Sequence, residues 1–403
     1  MFLSSQWVSV AAAVSLTLPA VRGVAPPSLP PQSVFVDPRS FAVLGQNALF
    51  RASAFNTTFN PTSTPLPFFQ IIDNGFLDIL GRNPSFHEIA SNPTLPFANE
   101  APVYIPALDE IFFSSFSSPG NASVNNKVNR VRMAEVEEAL KASKGSAVNV
   151  TVTPLDLPET VLSTNGGSGP FRGSLLFVGN GLGTLPPAVT LVNPRHPHNV
   201  TVILDNFFGR QFNSIDDVKI HPKSGKIFFT DVQYGFSLGI RPAPLMPNQV
   251  YRFDPDTGGV RMVADRFVRP NGIAFTNDGK TAYVSDTGSL QNPMRTSDFQ
   301  TQPATIYAFD VDPISERFVN HRVLAFVDAG IPDGLQVDMS GNVYAGTGDG
   351  VQVWNPEGTL LGKFFVNMRT ANMAFAGFGR LVILSQTKLF LARINAGSVN
   401  LEG

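Results

Sequence analysis

Four oxygen-bearing side chains, Glu100, Asp216, Asn271 and Asp333, stand at nearly the same distance ahead of a short apolar strand. The strands read IFFSS at Ile111 to Ser115, IFFTD at Ile227 to Asp231, AYVSD at Ala282 to Asp286 and VYAGT at Val343 to Thr347. Each oxygen donor lies about 11 or 12 residues before the aromatic of its strand. Three carboxylates and an amide, in a chain without cysteine and with no histidine in that phase, form a hard oxygen donor set. Such a set suits Ca²⁺, or another oxygen-seeking divalent cation, with waters completing the shell. A cation of this kind polarises a carbonyl oxygen and orients a water against it. Calcium acidifies its water far less than zinc does, so a neighbouring carboxylate base remains useful.

The elements that must position these groups are legible as a repeat. Two more strands, LLFVG at Leu175 to Gly179 and LVILS at Leu381 to Ser385, bring the set to six, spaced roughly 40 to 65 residues apart. Six similar strand units predict an all-β six-bladed propeller, in which equivalent positions of successive blades face one axis. Taken singly, Asn271-Gly272 and Asp333-Gly334 read as turns, and Glu100 as a surface residue; the shared phase favours an axial site instead. Asp217, alternating with Asp216, is expected to face away and to bond to backbone or to a neighbouring blade. Thr164, Asn165 and Asn372 occupy roughly the equivalent inner positions of the remaining two blades and are candidate substrate contacts. Arg210 stands close enough to the channel mouth to meet a substrate carboxylate or hydroxyl, or else forms a surface ion pair. His196, His198 and His221 sit beside prolines in loop-like segments and are read as structural, the lesser alternative being catalytic use in a histidine-based, paraoxonase-like site. The 34 phenylalanines are read as inter-blade packing.

The rest of the chain is consistent with one folded unit. With 43% hydrophobic residues, 34 glycines and 33 prolines, it suits many short strands joined by turns. A formal charge of -2 and only 15% charged residues leave no basic face for a phosphate backbone, which argues against nucleic acid. Residues 1–23 contain an apolar stretch from Trp7 to Ala20, too short for a bilayer span and followed by small residues and a proline-rich VAPPSLPP. They are read as a secretory signal, the alternative being a buried N-terminal helix. The sequons at Asn56, Asn121, Asn149 and Asn199 agree with a secreted glycoprotein. Residues 24–403 are then a single propeller domain. Its lead-in, 24–66, is poorly phased, and Phe41 to Ala90 is expected to supply outer strands or a helix near Phe69 to Leu80 and to close the ring against the last blade. Lys127 to Gly145 reads as an insertion, a strand VNRVR followed by a helix MAEVEEALKASKG with acids early and lysines late. Asp254 and Asp256 fall in a hairpin turn and lack the spacing of a calcium loop. No later segment is long and apolar enough to cross a membrane.

Three segments carry a family resemblance: NSIDDVKIHPKSGKIFFTD from Asn213, PNGIAFTNDGKTAYVSDTG from Pro270 and IPDGLQVDMSGNVYAG from Ile331. They resemble the blade motifs of the gluconolactonase, regucalcin and luciferin-regenerating-enzyme-like family of calcium-dependent six-bladed propellers. With NEAPVYIPALDEIFFSS from Asn99 and NFFGRQFNS from Asn206, the chain is most similar to the fungal lactonohydrolase branch, from about Glu100 to the C-terminus. The resemblance places the family's metal ligands on Glu100, Asn271 and Asp333, with Asp333 also the candidate base. Where the family often has Asn followed by Asp, this chain has Asp216 followed by Asp217. Three carboxylates around one divalent ion leave about one excess negative charge, which tightens the metal and weakens its pull on a carbonyl. Asp216 is therefore a detuning residue, a second base, a selector of a substrate different from that of its relatives, or the mark of a site that binds without turnover. The activity implied is calcium-dependent opening of a lactone or cyclic ester of a small polar acid, with Asp333 or Asp216 activating water. The competing readings are strictosidine-synthase-like or arylesterase chemistry on the same scaffold, and a non-catalytic calcium-stabilised binding protein.

Overall fold

Short apolar strands separated by turns pair with their sequence neighbours, so the chain folds as a succession of antiparallel meanders. The computed structural model describes residues 28–43, 45, 60, 62–115, 127–161, 163–290, 301–399 and 401. The signal reading of residues 1–23 and the sequons at Asn56 and Asn121 lie outside the described residues.

Six sheets form the blades of a propeller. The first is built from Glu100–Ile105, Glu110–Ser114, Val128–Arg132 and Thr153–Pro154. The second comprises Thr164–Phe171, Ser174–Gly179, Val189–Val192 and Val200–Leu204. Ile215–Ile220, Ile227–Asp231, Gln249–Asp254 and Gly259–Ala264 make the third, and Pro270–Phe275, Thr281–Asp286, Thr305–Val311 and Phe318–Phe326 the fourth. The fifth runs Leu335–Val337, Val343–Gly346, Gly350–Trp354 and Leu360–Phe365, and then takes two strands from the start of the chain, Phe68–Ile71 and Ser33–Phe35. The sixth has Asn372–Phe375, Arg380–Ser385 and Lys388–Arg393 from the C-terminus, completed on its outer edge by Ser85–Ser91.

Ring closure is thus non-covalent and joins the two ends of the sequence. Ser85–Ser91 pairs antiparallel with Lys388–Arg393, from Ser91 opposite Lys388 to Ser85 opposite Arg393. The last C-terminal strand thereby gains a partner on its outer side, and Ser85–Ser91 becomes the outer edge of the blade. A helix at Gly75–Leu80 packs Phe76, Ile79 and Leu80 inward beside it. The expected roles for the stretch before residue 90, outer strands, a helix and closure, are all present. The insertion after Lys127 is a strand leading into a helix at Met133–Ala142, which buries Met133, Val136 and Leu140 at i, i+3 and i+7.

The core is divided among the clefts between adjacent blades. Phe69, Phe86, Phe364 and Phe390 lie between the fifth and sixth blades; Phe228, Phe275 and Phe318 interlock the third with the fourth, with Phe228 and Phe275 edge to face at 5.0 Å. Phe212 and Phe229 do the same for the second and third. The phenylalanines therefore act as wedges that set the angle between blades, and that angle brings the innermost strands together on the axis. Among the described residues, no helix is long and apolar enough to cross a membrane.

Candidate axial site

The innermost strands start at one end of the axis. Glu100 opens the first, Asp216 and Asn271 are second in the third and fourth, and Asp333 lies two residues before the fifth. All four are inside the protein, with 8%, 3%, 6% and 3% of their surface exposed. A buried carboxylate survives only with partners, so their neighbours define the site.

Local backbone irregularity aims these side chains. Register between first and second strands shifts between Glu100 and Val103, Thr164 and Gly166, Ile215 and Val218, and Pro270 and Ile273. A bulge at the mouth of each of these four blades places additional residues on the inner strand and re-aims what it carries. Asp216 and Asn271 sit inside such bulges. Asp217, beside Asp216 in the same bulge, turns toward the fourth blade: its Oδ2 accepts from the Ile273 amide at 3.0 Å and its Oδ1 from the Val218 amide at 2.8 Å. That is the structural role expected of it.

The glycines of the site are close-approach residues, not turn residues. A Cβ on Gly272 would lie 2.4 Å from the Asp333 carbonyl oxygen and 2.7 Å from the Leu335 amide nitrogen; one on Gly166 would lie 2.5 Å from the Asp216 carbonyl oxygen. Adjacent inner strands are therefore in backbone contact beside the acidic groups, and only glycine permits it. Gly272→Ala is expected to destabilise the protein by about 3 kcal/mol, at the top of the usual range for overpacked interiors, because the obstructing atoms are backbone. A denaturant titration with an unchanged midpoint would contradict this.

Each acid has a side-chain tether. Asn372 Nδ2 donates to Glu100 Oε2 at 2.9 Å, Asn165 Nδ2 donates to Asp216 Oδ1, and Arg369 Nη2 donates to Asp333 Oδ2 at 3.0 Å. The Asn271 amide hydrogen-bonds to Asp333 and donates to the Tyr234 hydroxyl at 3.4 Å, so its donor side is engaged and its carbonyl oxygen is the group offered for ligation. Tyr234 in turn bonds to the Thr287 hydroxyl. Two further aspartates clamp the strand entries: Asp231 accepts from the Asn213 and Ser214 amides, and Asp286 from the Val268 and Arg269 amides.

The electrostatics are those of crowded like charges. Burial pushes Glu100 well above the ordinary carboxylate range, and the fields of Asp333 and Asp216 push it further. Asp216 is likewise raised well above its usual value by burial, then by Asp333 and Asp217, against the opposing pull of Arg369 and Asn165. Asp333 is raised by burial despite Arg369, and burial brings Asp231 to about 7. A raised folded-state pKa means that the folded chain holds protons the unfolded chain releases. The associated stability is present at low pH and lost as pH rises through the folded value. The contribution of Asp231, held at about 7, is therefore lost as pH rises from about 4 to about 7. Over that interval the melting temperature of the protein minus that of its Asp231→Asn variant is expected to fall, because His87 and His221, which burial lowers, act equally on both. Calorimetric melts at matched ionic strength test it, and a difference that rises over this interval would refute it.

Chemically, three carboxylates and an amide oxygen fit a hard divalent cation, and the charges of Asp333 and Asp216 bear on Glu100 and that of Asp333 on Asp216. Among the described residues no group of three or more His, Asp or Glu side chains forms a ready-made metal cage; Arg369 occupies Asp333 and two asparagines hold the other acids. The remaining candidates are placed differently. Thr164 donates its hydroxyl to the Val161 carbonyl at 2.6 Å and is buried; Asn372 supports Glu100; Arg210 lies exposed on a two-stranded hairpin, Asn206–Phe207 against Arg210–Gln211. His221 bonds to the Gly279 carbonyl, and Asp254 pairs with Lys226 at 2.7 Å in its turn. Arg369 and Tyr234 are the members of the site that sequence reasoning passed over. Arg369 stands three residues before Asn372, in the run that leads into the sixth inner strand, and the phase of that blade was the signal available.

At the other end of the same strands a cavity of about 390 Å³ opens on the axis, lined among others by Val103, Gly167, Lys219, Phe275, Val337 and Phe375. None of the four acidic-site residues lines it, so the two ends of the axis are chemically distinct.

A six-bladed propeller with a cluster of buried acids and amides where its inner strands begin defines a class of axial-site propellers. This chain belongs to the SMP-30/Gluconolactonase/LRE-like family, whose model matches residues 100–387. It is 29% identical over 373 residues to lactonohydrolase oryL of Aspergillus oryzae, covering 87% of this chain and 81% of that one. It is also 29% identical over 195 residues to the gluconolactonase of Zymomonas mobilis, covering 46% and 51%. Among solved structures, a putative gluconolactonase superposes with a TM-score of 0.65 at 24% identity, over 82% of this chain and 99% of that one. A calcium-binding protein, regucalcin, from Agrobacterium tumefaciens does so at 0.55 and 15%, over 78% and 98%.

Proposed function

We propose that the protein is a hydrolase that opens a lactone or related cyclic ester of a small polar acid at the axial site. The observation that carries this is the convergence of Glu100, Asp216, Asn271 and Asp333 from four blades, each acid tethered by a neighbouring side chain. Lactonase-type activity is supported by the family and by relatives named as lactonohydrolase and gluconolactonase. Calcium is the first candidate for the ion, another divalent cation being possible, and Glu100, Asp216, Asn271 and Asp333 are the residues that would hold it. When bound, it supplies a Lewis acid for the ester carbonyl. Asp216 and Asp333, whose basicity burial has raised, are the groups placed to accept a proton from water. Asn165, Asn372 and Arg369 orient the acids, so that less reorganisation is needed at the moment of reaction. Thr164, Asn372 and Arg210 remain candidate substrate contacts, Asn372 through the acid it holds and Arg210 from the rim.

The test is hydrolysis of a panel of aldono- and alkyl lactones, with divalent metal content measured on the same preparation and activity assayed with chelator and after Ca²⁺ is restored. Calcium-restored opening of at least one lactone is the expected result. A metal-free preparation whose lactone turnover is indifferent to chelator would overturn the metal-dependent reading.

Secretion belongs to the same proposal. Asn149 and Asn199, the two sequons within the described residues, are exposed, as glycosylation requires. Material recovered from the medium of a eukaryotic host is expected to start after residues 20 to 23 and to carry glycan on at least one of the four sequons. Intact-mass measurement checks both, and an unprocessed Met1 retained inside the cell would refute the location.

A further inference from the structure

Arg369 brings a full positive charge into the acidic site. Its Nη2 binds Asp333 Oδ2 at 3.0 Å, and its charge also acts on Asp216, Glu100 and Tyr234. Its side chain keeps 31% exposure while that of Asp333 keeps 4%, so the arginine reaches accessible space and the aspartate does not. Glu100, Asp216 and Asp333 carry three negative charges when ionised. A divalent ion alone leaves one uncancelled, and the guanidinium cancels it. Asp333 is the shared point, bound through Oδ2 to Arg369 and hydrogen-bonded to the Asn271 amide, itself a candidate ligand of the ion.

We propose that Arg369 is the resident counter-charge of the axial site, a positioning residue that competes with a divalent cation for Asp333 and allows a third carboxylate at Asp216. The inference rests on the divalent-cation reading above. It resolves the charge excess that Asp216 introduces: the site with its ion is neutral, and Asp216 and Arg369 form a compensating pair. A cation two charge units strong, a few ångströms from a guanidinium in a partly solvated site, is repelled by more than the roughly 1.4 kcal/mol that corresponds to tenfold in affinity. Removing Arg369 should therefore tighten the ion, whereas loss of an ordinary structural arginine would loosen it.

Calorimetric titration of Ca²⁺ into chelator-stripped, full-length mature protein decides between these signs. Arg369→Gln, which keeps a donor for Asp333, is expected to tighten Kd at least about tenfold. Asp216→Asn should weaken it by a similar factor, and the double variant should return to within about threefold of the parent. Arg369→Lys, retaining the charge, should stay near the parent. An unchanged or weaker Kd in Arg369→Gln overturns the proposal, as does a double variant no closer to the parent than the worse single. Should the parent itself bind no Ca²⁺, the metal reading falls separately, and melts in cation-free buffer then decide the pairing. There Arg369→Gln should lower the melting temperature and adding Asp216→Asn should recover it; two independent shifts would overturn the pairing.

Discussion

Asp333→Asn should lower lactone turnover by about 10³-fold or more and release calcium from the purified protein, while the propeller still folds. Asp333 is where three demands meet. It is the partner of Arg369, it receives the Asn271 amide, and its charge raises both Glu100 and Asp216. An amide in its place keeps the volume but removes the charge that an ion and a guanidinium share. The cost of breaking a buried ion pair, about 3–5 kcal/mol when one partner is left uncompensated, is moderated here because Arg369 is partly exposed. Circular dichroism should therefore remain that of the parent while bound metal and turnover fall together. A variant that retains both metal and turnover would show that the chemistry lies elsewhere than the axis.

The second large effect is expected at Asp216. Its carboxyl, like that of Glu100, is raised well above its usual range and carries no guanidinium of its own, being held by the Asn165 amide. A buried carboxylate of elevated basicity, tethered through one oxygen, is suited to take a proton from water at neutral pH. At saturating Ca²⁺, Asp216→Asn is accordingly expected to lower turnover by about 10²-fold with metal bound. The saturating condition separates loss of the base from the weaker ion binding that the same change produces. If turnover instead rises, Asp216 only detunes the site by its excess charge, and Asp333 alone is the base. The pH profile is a second readout: with Asp216 as base, the acidic limb of kcat should vanish in the asparagine variant and persist in Gly272→Ala at any residual activity.

The two experiments bear on different parts of one arrangement. Asp333 joins ion, guanidinium and amide, so its loss should be felt in metal content, stability and rate alike. Asp216 faces a tethering amide and the axis, so its loss should be felt chiefly in rate once the ion is restored. Comparing them in one preparation shows whether the acids act as a unit or in separate roles.

Much of this was written in the chain's local patterns. Apolar strand endings recur because every blade needs the same inner and second strands, and a period of that kind survives whatever the loops do. The phase of Glu100, Asp216, Asn271 and Asp333 within the period was sufficient to place them at one end of one axis, since equivalent residues of radially repeated sheets must converge. The capping pattern after Lys127 foretold a helix, and the lone acids of YRFDPDTGG foretold a turn, because both are decided by residues within a few positions of each other. What remained for the tertiary structure was whatever depends on separate blades meeting. The bulges that aim Asp216 and Asn271 are a two-against-one pairing, visible only when the partner strand is in place. Gly272 reads as a turn glycine in sequence and proves to be a contact glycine because the Asp333 backbone lies against it. That the stretch before residue 90 closes the ring follows from the order of the blades, but the strand and register that do it, Ser85–Ser91 on Lys388–Arg393, join segments some 300 residues apart and depend on the folded ring. The charge balance of the site was likewise out of reach: the acids alone imply an excess of one negative charge, and the arginine that cancels it stands 36 residues from Asp333, in the connection to the sixth blade, brought to it by the curvature of the ring.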